Sequence, residues 1–380
     1  MKTTTQSFLF FLTFFLMACG QPQDGKAISS KQADFRVQTI AQGLSHPWSL
    51  AFLPADEFLV TQRSGTLWRI DESGNKREIN GVPDVYHAGQ GGLLDVVLEP
   101  SFKNGGWVYF SYAAVDDNDD GIANTEVARA RLSLDQNRLT QTEVIFKAAP
   151  KVKGSNHWGS RLLFAPDGTL YVTLGERFNF EEQAQDPSNH LGALVRIYPD
   201  GSVPDDNPFV GDNNKRPEIF SYGHRNPQGM ALHPQTQDIW IHEHGPRGGD
   251  EINILKKGAN YGWPRVTFGI SYLGVEISDK TSAPGIQDPI LQWTPSIAPS
   301  GMAFYTGDKF PQWKGDLFVG ALAHQHLRRL ELDGDAVTDQ EELLKDRSER
   351  IRDVRMGPDG YLYILTDESS GSLLRLEPQE

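Results

Sequence analysis

The sequence predicts an all-β chain folded as a six-bladed β-propeller. One pattern recurs six times: a short apolar strand, a turn built on Pro, Gly or Asp, and a second apolar strand. The composition, 38% hydrophobic with 37 glycines and 23 prolines in 380 residues, suits many short strands and tight turns better than long helices. A lone hairpin is only marginally stable, so six similar ones must bury their apolar faces on each other. A ring of blades does that. Two β-sandwiches with similar turns are the alternative, because Pro-Asp-Gly is a common hairpin device.

The six hairpins are "SLAFLPADEFLVTQ", "VVLEPSFKNGGWVYFSY", "RLLFAPDGTLYVTLG", "GMALHPQTQDIWIHEHG", "GMAFYTGDKFPQWKGDLFVGAL" and "DVRMGPDGYLYILTD". Their turn prolines, Pro54, Pro100, Pro166, Pro234, Pro311 and Pro358, are spaced by 46, 66, 68, 77 and 47 residues. The longer steps predict loop insertions on the face that carries the site. Third strands follow as "GTLWRI", "ARARLSL", "ALVRIYP" and "HLRRLEL". "FRVQTI", from Phe35, precedes the first hairpin and is placed to close the ring by joining the last blade.

Ahead of this domain (35–380), residues 1–18 read as a secretory signal. A lone lysine precedes an apolar run from Phe8 to Ala18, too short to span a membrane. The end, Leu16-Met17-Ala18-Cys19, resembles a bacterial lipoprotein signal, and Cys19 is the only cysteine. Lipidation there implies a periplasmic protein of a Gram-negative bacterium, held by its lipid. Gly20 in place of a retention aspartate points to the outer membrane. An ordinary cleaved signal with an incidental cysteine is the alternative. Residues 19–34 are polar and read as a flexible tether. The net charge of −14 (36 basic, 50 acidic residues) and the lack of a basic cluster make nucleic acid a poor partner.

Four polar segments abut the hairpins. "HAGQGGLLDV" holds Gln90 beside two glycines, Gly91 and Gly92, which would let a ligand approach the backbone. "GSNHWGSRLLF" carries Asn156 and His157, and "SYGHRNPQGM" carries His224, Arg225 and Asn226. "ERIRDVRMGPDG" sets Arg350 and Arg352 on one face of an extended segment. Each precedes a hairpin, so a propeller brings them to one end of its channel. Together they suit a planar anionic ligand beside a proton acceptor.

"HEHGPRGGDE" raises a metal question. His242 and His244 alternate along a strand and could bind zinc or copper. No third nitrogen or sulfur ligand stands at a convincing spacing. The carbonyls of Gly245 and Pro246 and the carboxylates of Asp250 and Glu251 are oxygen donors, which favour calcium. "DDNDDG", Asp116 to Gly121, opens like an EF-hand loop, but its twelfth position is Val127. It reads as a solvated acidic hairpin tip.

"SYGHRNPQGMALHP", "HEHGPRGGDEINILKKGANYGWP", "NHWGSRLLFAPDGTLYVTLGE" and "RIRDVRMGPDGYLYILTD" resemble the soluble aldose sugar dehydrogenases that use pyrroloquinoline quinone (PQQ). That family includes the soluble quinoprotein glucose dehydrogenases. The likeness runs from about Val37 to Leu376 and implies a six-bladed propeller. It implies that His157 takes the proton of the anomeric hydroxyl while hydride leaves C1 for the quinone, giving a lactone. Arg225 would stabilise charge on the quinone oxygen. Asn226, Ser296, Arg350 and Arg352 would hold the cofactor, and Gln90 would contact both cofactor and sugar. Asn156 and Trp293 would face the sugar. Calcium would sit on the carbonyls of Gly245 and Pro246 with PQQ, and a structural calcium on Glu251 and the carbonyl of Tyr261. The final electron acceptor, other than oxygen, is not specified.

Three departures stand out. Asn156 replaces the glucose dehydrogenase branch's aspartate. Ala323, followed by His324, Gln325 and His326, replaces its cofactor-contacting lysine. Trp293 sits one residue away from that branch's tryptophan, which predicts a broader aldose range. Two other function classes compete: a calcium-dependent propeller lactonase or other hydrolase, and a non-catalytic lipid-anchored binding propeller.

Overall fold

The structure is a computed structural model that describes residues 25–116 and 119–379. Cys19 and the signal lie outside the described residues, as does the centre of the acidic loop, Asp117 and Asn118. Six antiparallel sheets form the blades, and each predicted hairpin supplies the first two strands of one. Blade 1 comprises Pro47–Leu53, Glu57–Gln62, Leu67–Ile70 and Lys76–Glu78. Blade 2 comprises Leu93–Leu98, Trp107–Asp116, Asp119–Ser133 and Val152–Lys153, with Arg138–Lys147 also paired to its third strand. Blade 3 comprises Leu162–Phe164, Leu170–Thr173, Ala193–Ile197 and Ile219–Tyr222. Blade 4 comprises Pro227–Leu232, Ile239–Glu243, Asp250–Ile254 and Leu291–Trp293. Blade 5 comprises Pro299–Phe304, Leu317–Ala321, His326–Asp333 and Ala336–Leu343.

Blade 6 takes Ile351–Met356, Leu362–Thr366 and Gly371–Pro378, and its outer strand is Phe35–Leu44. The register runs from Phe35 opposite Pro378 to Leu44 opposite Gly371. Backbone hydrogen bonds between the two ends of the domain thus close the ring, as "FRVQTI" predicts.

Alternation along each strand presents one apolar face to each neighbouring blade, and all six junctions are filled with buried apolar side chains. Between blades 5 and 6 lie Phe310, Trp313, Phe318, Ile351 and Leu374, and between blades 4 and 5 lie Trp240, Phe304 and Leu317. The other four junctions are built alike. Each such Leu or Phe contributes roughly 1.5–3 kcal/mol relative to exposure.

The first strand of each blade touches the next around the axis, where the sequence turns polar. Asp95, Asp353, Arg161 and Arg355 interlock there. Arg161 reaches Asp353 at 3.0 Å and Asp95 at 3.3 Å, and Arg355 reaches Asp95 at 2.7 Å and Asp353 at 2.9 Å. Two acids balance two arginines, which is how buried charge is tolerated. Arg161 also stacks on Trp48 at 4.2 Å, and Trp48 lines a cavity at this end of the channel.

The described part of the expected tether is anchored: the Gly25 N–H donates to the Val37 carbonyl at 3.3 Å, Ile28 pairs with Phe35, the Lys31 N–H donates to Glu341, and Gln32 donates to Glu331 at 2.6 Å. The polar composition that suggests a tether here serves contacts to the edge of blade 5.

Candidate active site

A cavity of about 450 Å³ opens at the end of the channel where the four polar motifs converge. It brings together Gln90, Asn226, Arg350 and Arg352, as their positions ahead of the hairpins predict. Trp158 and Gly159, the two residues after His157, form part of its wall.

His157 is held from several directions. Its backbone takes a left-handed φ of 53°, and its N–H donates to Gln90 Oε1 at 2.8 Å. The segment before it is pinned by Arg177, which donates to the carbonyls of Asn156, Ala123 and Gly154 and stacks on Trp158 at 3.4 Å. Gly175 must be glycine, because a Cβ there would lie 2.3 Å from the His157 carbonyl. The ring Nδ1 bonds Glu176 Oε1 at 2.8 Å. With Nδ1 as donor, Nε2 is the basic atom. Burial, then the charges of Arg225 and Arg177, push the imidazole well below its usual pKa. Burial pushes the Glu176 carboxyl up to about 7. The ring is therefore neutral at physiological pH, and the carboxyl group behind it titrates close to that pH.

The opposite wall is cationic. Arg352 pairs with Asp367, and Arg350 lies 3.6 Å from the same carboxylate and donates to the Leu322 carbonyl. Burial alone would raise Asp367, but Arg352 and the His46 hydrogen bond outweigh it and hold the carboxyl well below its usual range. Arg63 also lines the cavity. Three buried guanidinium Nε atoms in this region, on Arg63, Arg225 and Arg352, have no protein partner. Asn226 accepts the Gly159 N–H through Oδ1.

A smaller cavity adjoins, between Arg225, Gly245, Glu251 and Tyr261. Arg225 donates to the carbonyls of His244 and Gly245 at 3.1 and 2.9 Å. Burial, with the nearby charge of Glu243, raises the Glu251 carboxyl. Two buried carboxylates facing one cavity attract a cation. Among the described residues no group of three His, Cys, Asp or Glu could hold a metal, so a cation here would need carbonyl oxygens besides the two carboxylates.

Residues 44–375 match the family model described as Glucose / Sorbosone dehydrogenase. The aldose sugar dehydrogenase YliI of Escherichia coli (strain K12) is 48% identical over 93% of this chain and 95% of its own length. The crystal structure of the soluble aldose sugar dehydrogenase of Escherichia coli, in the apo-form, superposes with a TM-score of 0.88 at 48% identity, covering 91% of this chain and all of that one. A PQQ-bound aldose sugar dehydrogenase from Streptomyces coelicolor superposes with a TM-score of 0.74 at 30% identity, covering 92% of this chain and 100% of the other. The chain belongs to the glucose/sorbosone dehydrogenase family. It is a sugar dehydrogenase, which sets aside the hydrolase and the non-catalytic propeller.

Within this dehydrogenase, several expected site residues lie elsewhere. Trp293 is buried at the outer edge of blade 4, packs in the junction with blade 5, and donates its indole N–H to Gln340 at 2.9 Å. It is a core residue, not a sugar contact, because its strand is the outermost of the blade. The Ser296 hydroxyl bonds both oxygens of Asp250, which also accepts the Gly245 N–H, so Ser296 braces the Gly245 loop and does not line the cavity. Asn156 offers its carbonyl to Arg177 and does not line this cavity; nor do His157, which directly precedes Trp158 and Gly159, and Arg225, which lines the smaller cavity. Gly91 and Gly92 do not make room for a ligand. A Cβ would meet the Tyr86 carbonyl and Trp158 at the first, and the Arg63 carbonyl at 1.9 Å at the second. His244 lines the cavity and bonds the Pro299 carbonyl, whereas His242 is fully buried against Gly229.

Other residues have no motif to announce them. Glu176 is one, although its spacing from His157, 19 residues, is the spacing of a second buried pair, His224 and Glu243. Tyr272 lines the cavity and stacks on Phe178, whose ring lies 5.1 Å from that of His157. Tyr272 is 56% exposed and sits on the loop between the third and fourth strands of blade 4.

Proposed function

We propose that the enzyme oxidises the anomeric hydroxyl of aldoses to lactones, using PQQ and calcium and passing the electrons to an acceptor other than oxygen. The observation that carries this reading is a cavity with a cationic wall, two of whose lining residues, Trp158 and Gly159, directly follow a buried, neutral imidazole hydrogen-bonded to a carboxyl group. PQQ is a planar tricarboxylate. The partnerless Nε donors of Arg225 and Arg352 and the Arg350 guanidinium are the groups such an anion needs. The residues present therefore fit the group.

When bound, PQQ supplies the hydride acceptor and calcium the Lewis acid beside it. The chain supplies the rest. His157 Nε2 accepts the hydroxyl proton, and the Nδ1 bond to Glu176 steadies the imidazolium that results. Arg225 places positive charge where the acceptor oxygen becomes negative. Gln90 links the cofactor wall to the His157 backbone. Tyr272 offers an aromatic face at the mouth, suited to the C–H face of a sugar. Calcium would be held by the carbonyls of Gly245 and Pro246; the Gly245 oxygen accepts from Arg225 at 2.9 Å and keeps a second lone pair for it. Glu251 and the Tyr261 carbonyl would take the second ion beside Glu243.

The test loads apo-protein with PQQ and calcium and offers a panel of aldoses with an artificial electron acceptor. Dye reduction by several aldoses, dependent on PQQ, is expected; no turnover with any aldose and no PQQ binding would refute the reading. The lipid anchor remains part of the proposal. Cys19→Ala should move the protein from the membrane fraction to the soluble periplasm, and an unchanged distribution would reject Cys19 as the attachment point.

A further inference from the structure

We propose that Arg63 is a third arginine clamp for the cofactor's carboxylates, acting from blade 1 beside Arg350 and Arg352 of blade 6. This rests on the PQQ reading and extends it to a residue that no sequence motif marks. Arg63 follows the second strand of blade 1 and lines the same cavity. Its Nη1 donates to the Gly89 carbonyl at 2.5 Å, while its buried Nε has no partner.

Charge accounting separates it from the other arginines. Arg161 and Arg355 each contact two acids in the axial cluster, and Arg350 and Arg352 share Asp367. Arg63 forms no ion pair among the described residues. Burial and the charges of Arg352 and Arg350 lower its pKa, with Asp367 opposing them, so it lies within their electrostatic reach. A half-buried guanidinium with an unmet donor, beside two like charges, is costly unless an anion arrives.

The residue is also held in place. Its N–H donates to the His46 carbonyl at 3.3 Å, and its own carbonyl accepts from Leu93 at 3.2 Å. Gly92 is the residue that lets this carbonyl approach. Such fixing lowers the entropy lost when a ligand binds. The clamp also connects to the chemistry. Arg63 holds Gly89, the next residue is Gln90, and Gln90 accepts the His157 N–H. A carboxylate on Arg63 therefore stiffens the loop that supports the base.

The test titrates calcium-loaded apo-protein with PQQ and, separately, with its uncharged trimethyl ester, following quenching of tryptophan fluorescence; Trp48 and Trp158 line the cavity. Arg63→Gln should weaken PQQ binding roughly ten- to a hundredfold and ester binding less than about twofold, with the thermal midpoint of the apo-protein unchanged. If the wild type binds PQQ and Arg63→Gln binds it equally well, the clamp is wrong and the PQQ reading stands. Equal weakening toward PQQ and ester would also overturn the clamp, since Arg63 would then only shape the cavity. A wild type that binds no PQQ overturns both. Should Arg63→Gln not fold, Arg63→Lys carries the same comparison. It is expected to weaken PQQ roughly three- to tenfold and the ester not at all, and equal effects on both would overturn the assignment.

Discussion

Blades 3 and 4 carry the same device with different consequences. In each, a histidine just before the first strand bonds a glutamate 19 residues later through Nδ1, at 2.8 Å for His157–Glu176 and 2.9 Å for His224–Glu243. The blade 4 pair is closed. His224 Nε2 bonds Ser221 Oγ at 2.8 Å, its ring stacks on Tyr261 at 4.5 Å, and the second oxygen of Glu243 accepts the Arg225 N–H. The blade 3 pair is open: among the described residues Glu176 Oε2 has no hydrogen-bond partner, and the hydrogen bonds of His157 run through its N–H and Nδ1, not Nε2. A histidine–carboxylate pair is therefore not in itself a catalytic signature. In the proposed mechanism it is the pair left unsatisfied that serves as the base, and the partnerless arginines that serve the anion.

Neutralising the acid of the open pair should have the largest effect of three. Glu176→Gln is expected to lower kcat about a hundredfold, measured with saturating aldose and PQQ. The wild-type rate should fall as pH drops below about 7, where Glu176 takes up its proton, and the variant's should not. Stability should move the other way. The carboxyl binds its proton more tightly folded, at about 7, than unfolded, near 4.5, so it costs stability as pH rises through that interval. Glutamine removes the cost. The variant should melt higher than wild type above pH 7, by up to about 3 kcal/mol, and show no gain at pH 4.

Breaking the closed pair should affect folding and not chemistry. His224→Gln leaves Ser221 and Glu243 without their buried partner and should cost roughly 2–4 kcal/mol in denaturant unfolding. The kcat of the folded fraction should stay within about threefold of wild type. A large loss of kcat without a loss of stability would erase the distinction between the two pairs. The smallest effect is expected at the mouth. Tyr272→Ala should raise KM for aldoses roughly three- to tenfold with kcat within twofold, and its thermal midpoint should not change, because the ring is largely exposed.

The same contrast explains what could be read from the sequence. Strand alternation and turn chemistry are local, so all six hairpins and the closing strand Phe35–Leu44 were legible. Gln90, Asn226, Arg350 and Arg352 could be placed at one cavity because each sits shortly before, or at the start of, the first strand of a hairpin. Glu176 follows a strand, and only the repeated 19-residue spacing hints at it. Arg63 shows its role only through neighbours on other blades, which local patterns do not encode. Trp293 misleads for the converse reason: it sits amid motif residues, yet its place in the outermost strand sends the ring into the core.

The most direct test of this account is a single-turnover experiment on wild type, His157→Gln and His224→Gln, each loaded with the same PQQ and calcium and mixed with aldose in a stopped-flow spectrometer. All three should retain PQQ. Cofactor reduction should be slower by roughly a hundred- to ten-thousandfold in His157→Gln and within about threefold of wild type in His224→Gln. Equal reduction rates in wild type and His157→Gln would contradict the assignment of the base and, with it, the meaning given to the open pair.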